Sequence, residues 1–525
     1  MKKPDKDIMK AGLRKKLSFL FSRKITVIIL LAIQVGFVTL AFFSLYDQFI
    51  YIYLGLTVLA ILLVAYIASS NENAGYKIAW LVPFVIFPSF MALVYLFLKI
   101  SISRHFFKKI VQKKIIETEK YLKQDKKIAE EIEKKEEKSF LRMSDYIAGY
   151  GKFPTYKNTT AQYFKCGEEQ FEVLLDELRK AKHFIFIEFF IVEKGVMLDQ
   201  IIDILIDKAE EGVDVRFMYD GVGAQTILPG KYDETLRYYG IKCKVFNPFV
   251  PFLTSVQNNR DHRKIVVIDG HTAFTGGTNL ADEYINAKTK YGYWKDSAVM
   301  IKGDAVWSFT IMFFQMWELN EKTPANYIDF APHKYHEDEF KGEGYVIPYG
   351  DSPLDNENVG KMIYMDIINK ARDYIYFTAP YLILDEELLS ALSYAAKSGV
   401  DVKIVVPGIS DKWYVQKISN CYYKALLDQG VKFYRYNPGF VHTKDCVSDD
   451  KIATVGTVNL DYRSLYLHFE DGIVFYKNKL VSDVKKDIDD MIKNDCTEIT
   501  AEDMDRRNIF DKIFSGILKI FGPLL

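Results

Sequence analysis

The chain repeats itself, and the repeat limits what it can fold into. A helix-to-strand join reads E-E-G-V-D-V-R near residue 212 and K-S-G-V-D-V-K near residue 399. Each join follows a helix-period stretch, MLDQIIDILIDKAEEG (197–212) in one half and EELLSALSYAAKSG (386–399) in the other. Each leads into a β-rich run, VDVRFMYD (213–220) or VDVKIVVPG (400–408). A buried-strand pattern precedes each helix, HFIFIEFFIV (183–192) and YIYFTAPYLI (374–383). Strand–helix–strand alternation predicts an α/β fold with a mainly parallel or mixed sheet. Its recurrence predicts two pseudo-symmetric halves of about 180 residues each. A site is expected where the halves meet, at the C-terminal ends of strands.

The repeat carries chemistry. The first half holds His262, Lys264 and Asp269, followed by Gly276, Gly277, Thr278 and Asn279. The second holds His442, Lys444 and Asp449, followed by Gly456, Thr457 and Asn459. Both read H-x-K-x4-D with the same Lys-to-Asn spacing, and the two histidines are 180 residues apart. A single surface H-x-K is an accident in most chains; two copies with matched Asp, Thr and Asn are not. In HRKIVVID an extended strand places His262 and Lys264 on one face, because side chains alternate with period two. The glycines are expected to let backbone approach a ligand closely. His271 and His468 match no partner in the other half and read as structural.

These residue types suit transfer at a phosphodiester. One histidine can attack phosphorus as a neutral imidazole. The other, protonated, can give its proton to the leaving alkoxide. Two lysines and two asparagines can stabilise the phosphate oxygens, with Thr278 and Thr457 beside them. Asp269 or Asp449 could fix a histidine tautomer. No metal or cofactor is expected, since no Asp/Glu/His spacing suggests a cage.

The N-terminus is of a different kind. Ile25–Leu45, Phe49–Ala68 and Ile78–Leu98 carry no charge. Each is about the length a helix needs to cross a bilayer, so a multi-pass membrane anchor is expected. The basic leader 1–24 favours the cytoplasm by the positive-inside rule. The basic segment after the third run favours it too, so three full spans conflict with the rule. Pro83 and Pro88 could break the third run into a re-entrant or tilted element. The cytoplasmic face is the expected side for the catalytic part. Residues 99–149 read as a charged connector, with 108–139 as an exposed helix supported by ion pairs. The segment 506–525 has apolar residues at helical spacing among basic ones. It reads either as a helix docked on the body or as an interfacial helix on anionic lipid.

Lys+Arg and Asp+Glu both number 69, which disfavours a nucleic-acid partner. The five cysteines contain no C-x-x-C pair, which argues against a disulfide framework or structural zinc.

The duplicated H-x-K-x4-D motif resembles that of the phospholipase D superfamily. Further segments, among them KIAWLVPFVIFPSF (77–90), NNRDHRKIVVIDGHTAFTGGTNLADEY (258–284), TAPYLILDEEL (378–388) and VGTVNLDYRSLYLHFE (455–470), resemble bacterial cardiolipin synthases of that superfamily. The resemblance runs from about residue 50 to the C-terminus. It implies two phospholipase D-like halves, 150–340 and 341–505, after the anchor 25–98. It implies conversion of two phosphatidylglycerol molecules to cardiolipin and glycerol through a phosphatidyl-histidine. By resemblance His262 is the nucleophile and His442 the acid and base. Lys264, Lys444, Asn279 and Asn459 would hold phosphate, and Asp269 and Asp449 would orient the site. The motif alone leaves open a hydrolytic phospholipase D, another phosphatidyltransferase, or a membrane-bound nuclease. A non-enzymatic membrane scaffold is a further reading, disfavoured by the intact motifs.

Overall fold

FIFIEF, Phe184–Phe189, is buried at every position, as a central strand covered on both faces requires, and its one acid, Glu188, pairs with Arg263. The computed structural model describes residues 46–99, 102–224, 227–248, 258–321, 323–337 and 339–524. The leader 1–24 and the apolar run 25–45 lie outside the described residues. The chain divides into two units near Ser101, and each is described by itself.

In the first unit, Tyr46–Ser69 is a 24-residue helix. Its stretch Tyr51–Ser69 is long and apolar enough to cross a membrane. Asn73 then caps Ala74–Ile86, its side chain accepting from Gly75 N at 2.9 Å. That helix stops at Phe87, and Pro88–Lys99 begins a new one. The expected break in the third apolar run is therefore present. It yields helices of 13 and 12 residues, each too short to span alone. Ala60, Ile67, Trp80, Phe84, Ala92 and Tyr95 form this unit's core.

The second unit holds two large sheets and two two-stranded ones. Across the seven-stranded sheet the order is Thr159–Phe164, Ala298–Gly303, Thr272–Gly276, Ile265–Ile268, Phe184–Phe189, Asp214–Asp220, Lys242–Phe246. Only the last three run parallel, linked by the crossover helices Val196–Glu210 and Tyr232–Tyr238. The other neighbours are antiparallel. The nine-stranded sheet repeats the plan. Tyr374–Thr378, Asp401–Pro407 and Lys432–Tyr436 are parallel, with antiparallel strands on both sides. The sheets are mixed, not mainly parallel. Helices signal parallel crossovers in a sequence, whereas the motif strands return through tight hairpins that cannot join parallel strands. Helix Val306–Trp317 touches strands of both sheets, with Phe313 stacked on Phe186 at 4.7 Å.

Two expectations need correction. Segment 108–139 is not one exposed helix. It belongs to Ile102–Glu119, Lys126–Lys135 and Lys138–Tyr146, and Val111, Leu122, Ile132 and Phe140 are buried in the main core. Its apolar positions bind it to the body, while ion pairs such as Lys451–Glu137 and Lys477–Glu136 fix its charged side. The second correction concerns the motif strands. The first begins at Ile265, so His262 and Lys264 precede it. The second is Cys446–Ser448, after His442 and Lys444.

Candidate active site

The two motif histidines are placed by a reciprocal exchange between the halves. Arg260–Asp261, entering the first motif, pairs in parallel with His468–Phe469 of the second half. His262 N–H then donates to Phe469 O at 2.9 Å. Gly439–Val441, entering the second motif, pairs in parallel with Tyr293–Lys295 of the first half. His442 N–H donates to Lys295 O at 2.7 Å. In each case the next residue on the partner strand is acidic. Glu470 Oε2 lies 2.8 Å from His262 Nδ1, and Asp296 Oδ2 lies 2.7 Å from His442 Nδ1. A carboxylate on Nδ1 orients the ring and leaves Nε2 for chemistry. Each half thus supplies the carboxylate that holds the other half's histidine.

The carboxylates are held in turn. Thr457 Oγ1 donates to Glu470 Oε2, and Ser464 Oγ donates to Oε1 at 2.6 Å. Ser297 N–H donates to Asp296 Oδ1 at 2.9 Å. Gly277 is needed here for space. A Cβ at this position would collide with the Asp296 carboxylate. Gly276 and Gly456 likewise let strand Ala298–Gly303 and strand His468–Tyr476 approach. In this structure the motif glycines admit neighbouring strands and a carboxylate, where backbone contact with ligand had been expected.

Both histidines, both lysines and both carboxylates are buried. Burial, with the charges of Lys264 and Lys444, pushes His262 well below the usual imidazole value. Burial and Lys444 push His442 down to about 4, against the pull of Asp296. Both rings are therefore neutral near pH 7. Burial also lowers Lys264 to about 8 and Lys444 to about 7. Burial alone would raise Asp296, but His442 and Lys444 hold it below the ordinary carboxylate value. The lysines fold back on their own motifs. Lys264 Nζ donates to His262 O at 2.7 Å. Lys444 Nζ reaches His442 O and lies 2.8 Å from its Nδ1.

The remaining expected residues divide. Asn279 is committed, accepting from Ile191 N at 3.0 Å and donating to Tyr284 OH at 2.7 Å. Thr457 supports Glu470. Thr278 Oγ1 and Asn459 Oδ1 are buried without a hydrogen-bond partner among the described residues, which is costly unless a ligand supplies one. Asp269 and Asp449 do not meet the histidines. Each stands at a hairpin turn with positive φ, 49° and 51°. Asp269 accepts from the backbone N–H of Lys182, His183 and Phe184. Asp449 accepts from those of Arg372, Asp373 and Tyr374. They pin the far ends of the motif hairpins to neighbouring strands. The expectation that one of them fixes a histidine tautomer is therefore corrected, because the motif strand, Ile265–Ile268 in one half and Cys446–Ser448 in the other, carries the chain away from the histidine.

Asp296 and Glu470 were not singled out from the sequence. Their one signal was acidic residues following the Gly-Thr…Asn segments, at unequal distances in the two halves. His468, read as structural, lies beside His262 with ring centroids 5.3 Å apart. Its Nδ1 is 3.4 Å from Glu470 Oε1, and burial pushes it down to about 3. His271 instead accompanies the turn, within 3.1 Å of Asp269 O. The strand position of His468 corresponds to Trp294 in the other half. His442 consequently sits among the rings of Trp294, Tyr284 and Phe440, at 5.3, 5.5 and 5.7 Å. His262, His468 and Glu470 are near enough to one another to hold a metal ion. Against that role, Glu470 is already engaged by Thr457 and Ser464, and the two lysine charges oppose a cation.

A family model described as cardiolipin synthase, PLD-like domain, matches residues 174–313 and 364–492. An uncharacterized protein of Streptococcus mutans serotype c is 43% identical over 465 residues, 88% of this chain and 99% of its own. A cardiolipin synthase of Alkalihalophilus pseudofirmus is 38% identical over 381 residues, 71% of this chain and 74% of its own. Cardiolipin synthase 2 of Bacillus anthracis is 34% identical over 480 residues, 89% of this chain and 90% of its own. Among solved structures, phosphatidylserine synthase of Haemophilus influenzae superposes with a TM-score of 0.53 at 14% identity. It covers 70% of this chain and 93% of its own, a likeness of fold.

Proposed function

The chain belongs to the cardiolipin synthase family with phospholipase D-like domains, and on that premise we propose how its site joins two phosphatidylglycerol molecules. It is a phosphatidyltransferase. The observation that carries the reading is the pair of buried histidines, each held at Nδ1 by a carboxylate from the opposite half.

The phosphodiester of the first lipid lies between the two Nε2 atoms. His262 Nε2 attacks phosphorus, and the bond to the glycerol headgroup breaks. His442 gives the departing alkoxide a proton, so glycerol leaves neutral. Burial and the lysine charges depress His442 in the free site; a bound anionic diester offsets the lysine charges and so favours the protonated ring. Glu470 faces the positive charge that develops on the phosphatidyl-histidine. His442, now neutral, takes the proton of a hydroxyl on the second phosphatidylglycerol, and that oxygen attacks phosphorus. The P–N bond breaks, cardiolipin forms and His262 returns to its starting state. One diester replaces another, so no nucleotide is consumed. Lys264, Lys444, Thr278 and Asn459 swing or point toward the phosphate oxygens, with Asn279 holding the adjoining loop. The rings around His442 keep water from the intermediate, which favours transfer over hydrolysis.

The protein acts at the cell membrane. Tyr51–Ser69 has the length and composition of a span, and the reading is a multi-pass anchor with the catalytic body on the cytoplasmic face. The test is a product assay by mass spectrometry on phosphatidylglycerol alone with EDTA present, beside His262→Ala. Cardiolipin and glycerol from the unaltered protein only are expected. Phosphatidic acid as the sole lipid product would make it a hydrolase and refute the transfer.

A further inference from the structure

The C-terminal helix Ile509–Phe521 is docked with its polar side inward. Asp511 pairs with Lys417 and with Arg507. Ser515 is buried and accepts from Arg507 Nη2 at 2.7 Å. Lys519 Nζ lies 4.5 Å from the ring centroid of Tyr422. The apolar side faces away from the body. Ile509, Phe510, Ile513, Phe514 and Ile517 are between 43% and 76% exposed. Trp413, 62% exposed, stacks on Phe514 with centroids 6.3 Å apart and extends the patch. A contiguous apolar face of this kind marks a surface that something covers.

Charge and position say what covers it. Lys412 and Arg506 are exposed at its edge, and Lys512 lies between its apolar residues. Trp beside basic residues on an amphipathic helix is the pattern of the headgroup–acyl boundary of an anionic bilayer. The patch also adjoins the site. Gly522–Leu524, which ends the helix, packs on Tyr462–Leu467, the helix that follows Asn459. Gly522 sits against Ile383, whose strand pairs with Leu460–Asp461. Lys412, next to Trp413, is near enough for its charge to act on His262.

We propose that this face is the bilayer-docking surface of the catalytic body, seated in an anionic leaflet so that phosphatidylglycerol passes from it into the adjoining site. The proposal rests on the reading that the substrate is a membrane lipid. A second copy of the chain is a less suitable occupant, because the basic edge would meet itself.

The full-length protein is reconstituted in vesicles containing phosphatidylglycerol with a diazirine in its acyl chain, irradiated, and the adducts are mapped by mass spectrometry. Adducts within residues 509–517 are expected. Adducts confined to other segments overturn the proposal. In parallel, Ile513→Glu/Ile517→Glu is assayed on vesicle phosphatidylglycerol and on a short-chain form dispersed as monomers. Turnover on vesicles should fall at least about tenfold, as interfacial binding follows buried apolar area, while the monomeric lipid turns over as before. Equal loss on both, or loss on neither, overturns it. So does an oligomer that the double variant dissociates. If the unaltered protein makes no cardiolipin analogue from the short-chain lipid, the transferase reading fails instead, and the adduct map still decides the docking surface.

Discussion

Glu470→Gln isolates what the carboxylate does for His262. Glutamine keeps the shape of the side chain and removes its charge. The carboxylate accepts from Thr457 at the oxygen nearest His262 and from Ser464 at the other, so Glu470→Ala would strand two buried donors and confuse folding with catalysis. In Glu470→Gln the amide oxygen can still face His262 Nδ1, with its NH2 turned to the Ser464 hydroxyl. What disappears is a charge-assisted hydrogen bond to the ring as it becomes positive on attacking phosphorus. Hydrogen bonds to charged groups contribute about 1.5–3 kcal/mol. At about 1.36 kcal/mol per decade, turnover should fall about 10- to 160-fold. The loss should appear in kcat, because the charge exists in the transition state and not in the bound lipid. Cardiolipin formation is followed by mass spectrometry, with melting temperature as the control for folding. Unaltered turnover in Glu470→Gln, with His262→Ala inactive, would refute the argument that this carboxylate supports the nucleophile.

Three further outcomes follow from the geometry. Gly277→Ala should lower turnover by roughly 100-fold, because its Cβ displaces Asp296 and so releases His442; wild-type turnover in a folded Gly277→Ala protein would contradict this. Asp449→Ala should lower stability by about 2–4 kcal/mol, since three backbone donors lose a charged acceptor. Its turnover per folded molecule should stay near wild type, measured by denaturant titration beside the product assay. The pH profile of kcat/KM should fall as pH rises through about 7, where Lys444 of the free enzyme loses the charge that attracts phosphate. On the acid side, loss of neutral His262 is expected only well below the usual imidazole value, because burial favours the neutral ring. Lys444→Arg should flatten the basic limb, and an unchanged limb in that variant would assign the loss to another group.

The duplicated strand–helix–strand pattern, the two H-x-K-x4-D motifs and the apolar N-terminus were all legible in the residues, because each rests on local periodicity or fixed spacing. Local pattern determined the parallel core of each sheet, the positions of the two motif histidines and the proline break in the third apolar run. It misassigned the motif aspartates. Spacing alone cannot tell a residue beside the histidine from one at the far end of the motif strand, at a turn with positive φ. It also missed Glu470, 208 residues from His262, and Asp296, 146 residues from His442. Those pairs form only because a short segment of each half adds itself to a strand of the other. Likewise, the spacing of Ile509, Phe510, Ile513 and Ile517 foretold an amphipathic helix, but only its docking through Asp511 and Ser515 decided which face is left outward. The sequence by itself determined which chemical groups the protein carries and the elements that bear them. Tertiary structure decided which groups meet, because contacts across hundreds of residues depend on strand pairing between halves, and no local period encodes that pairing.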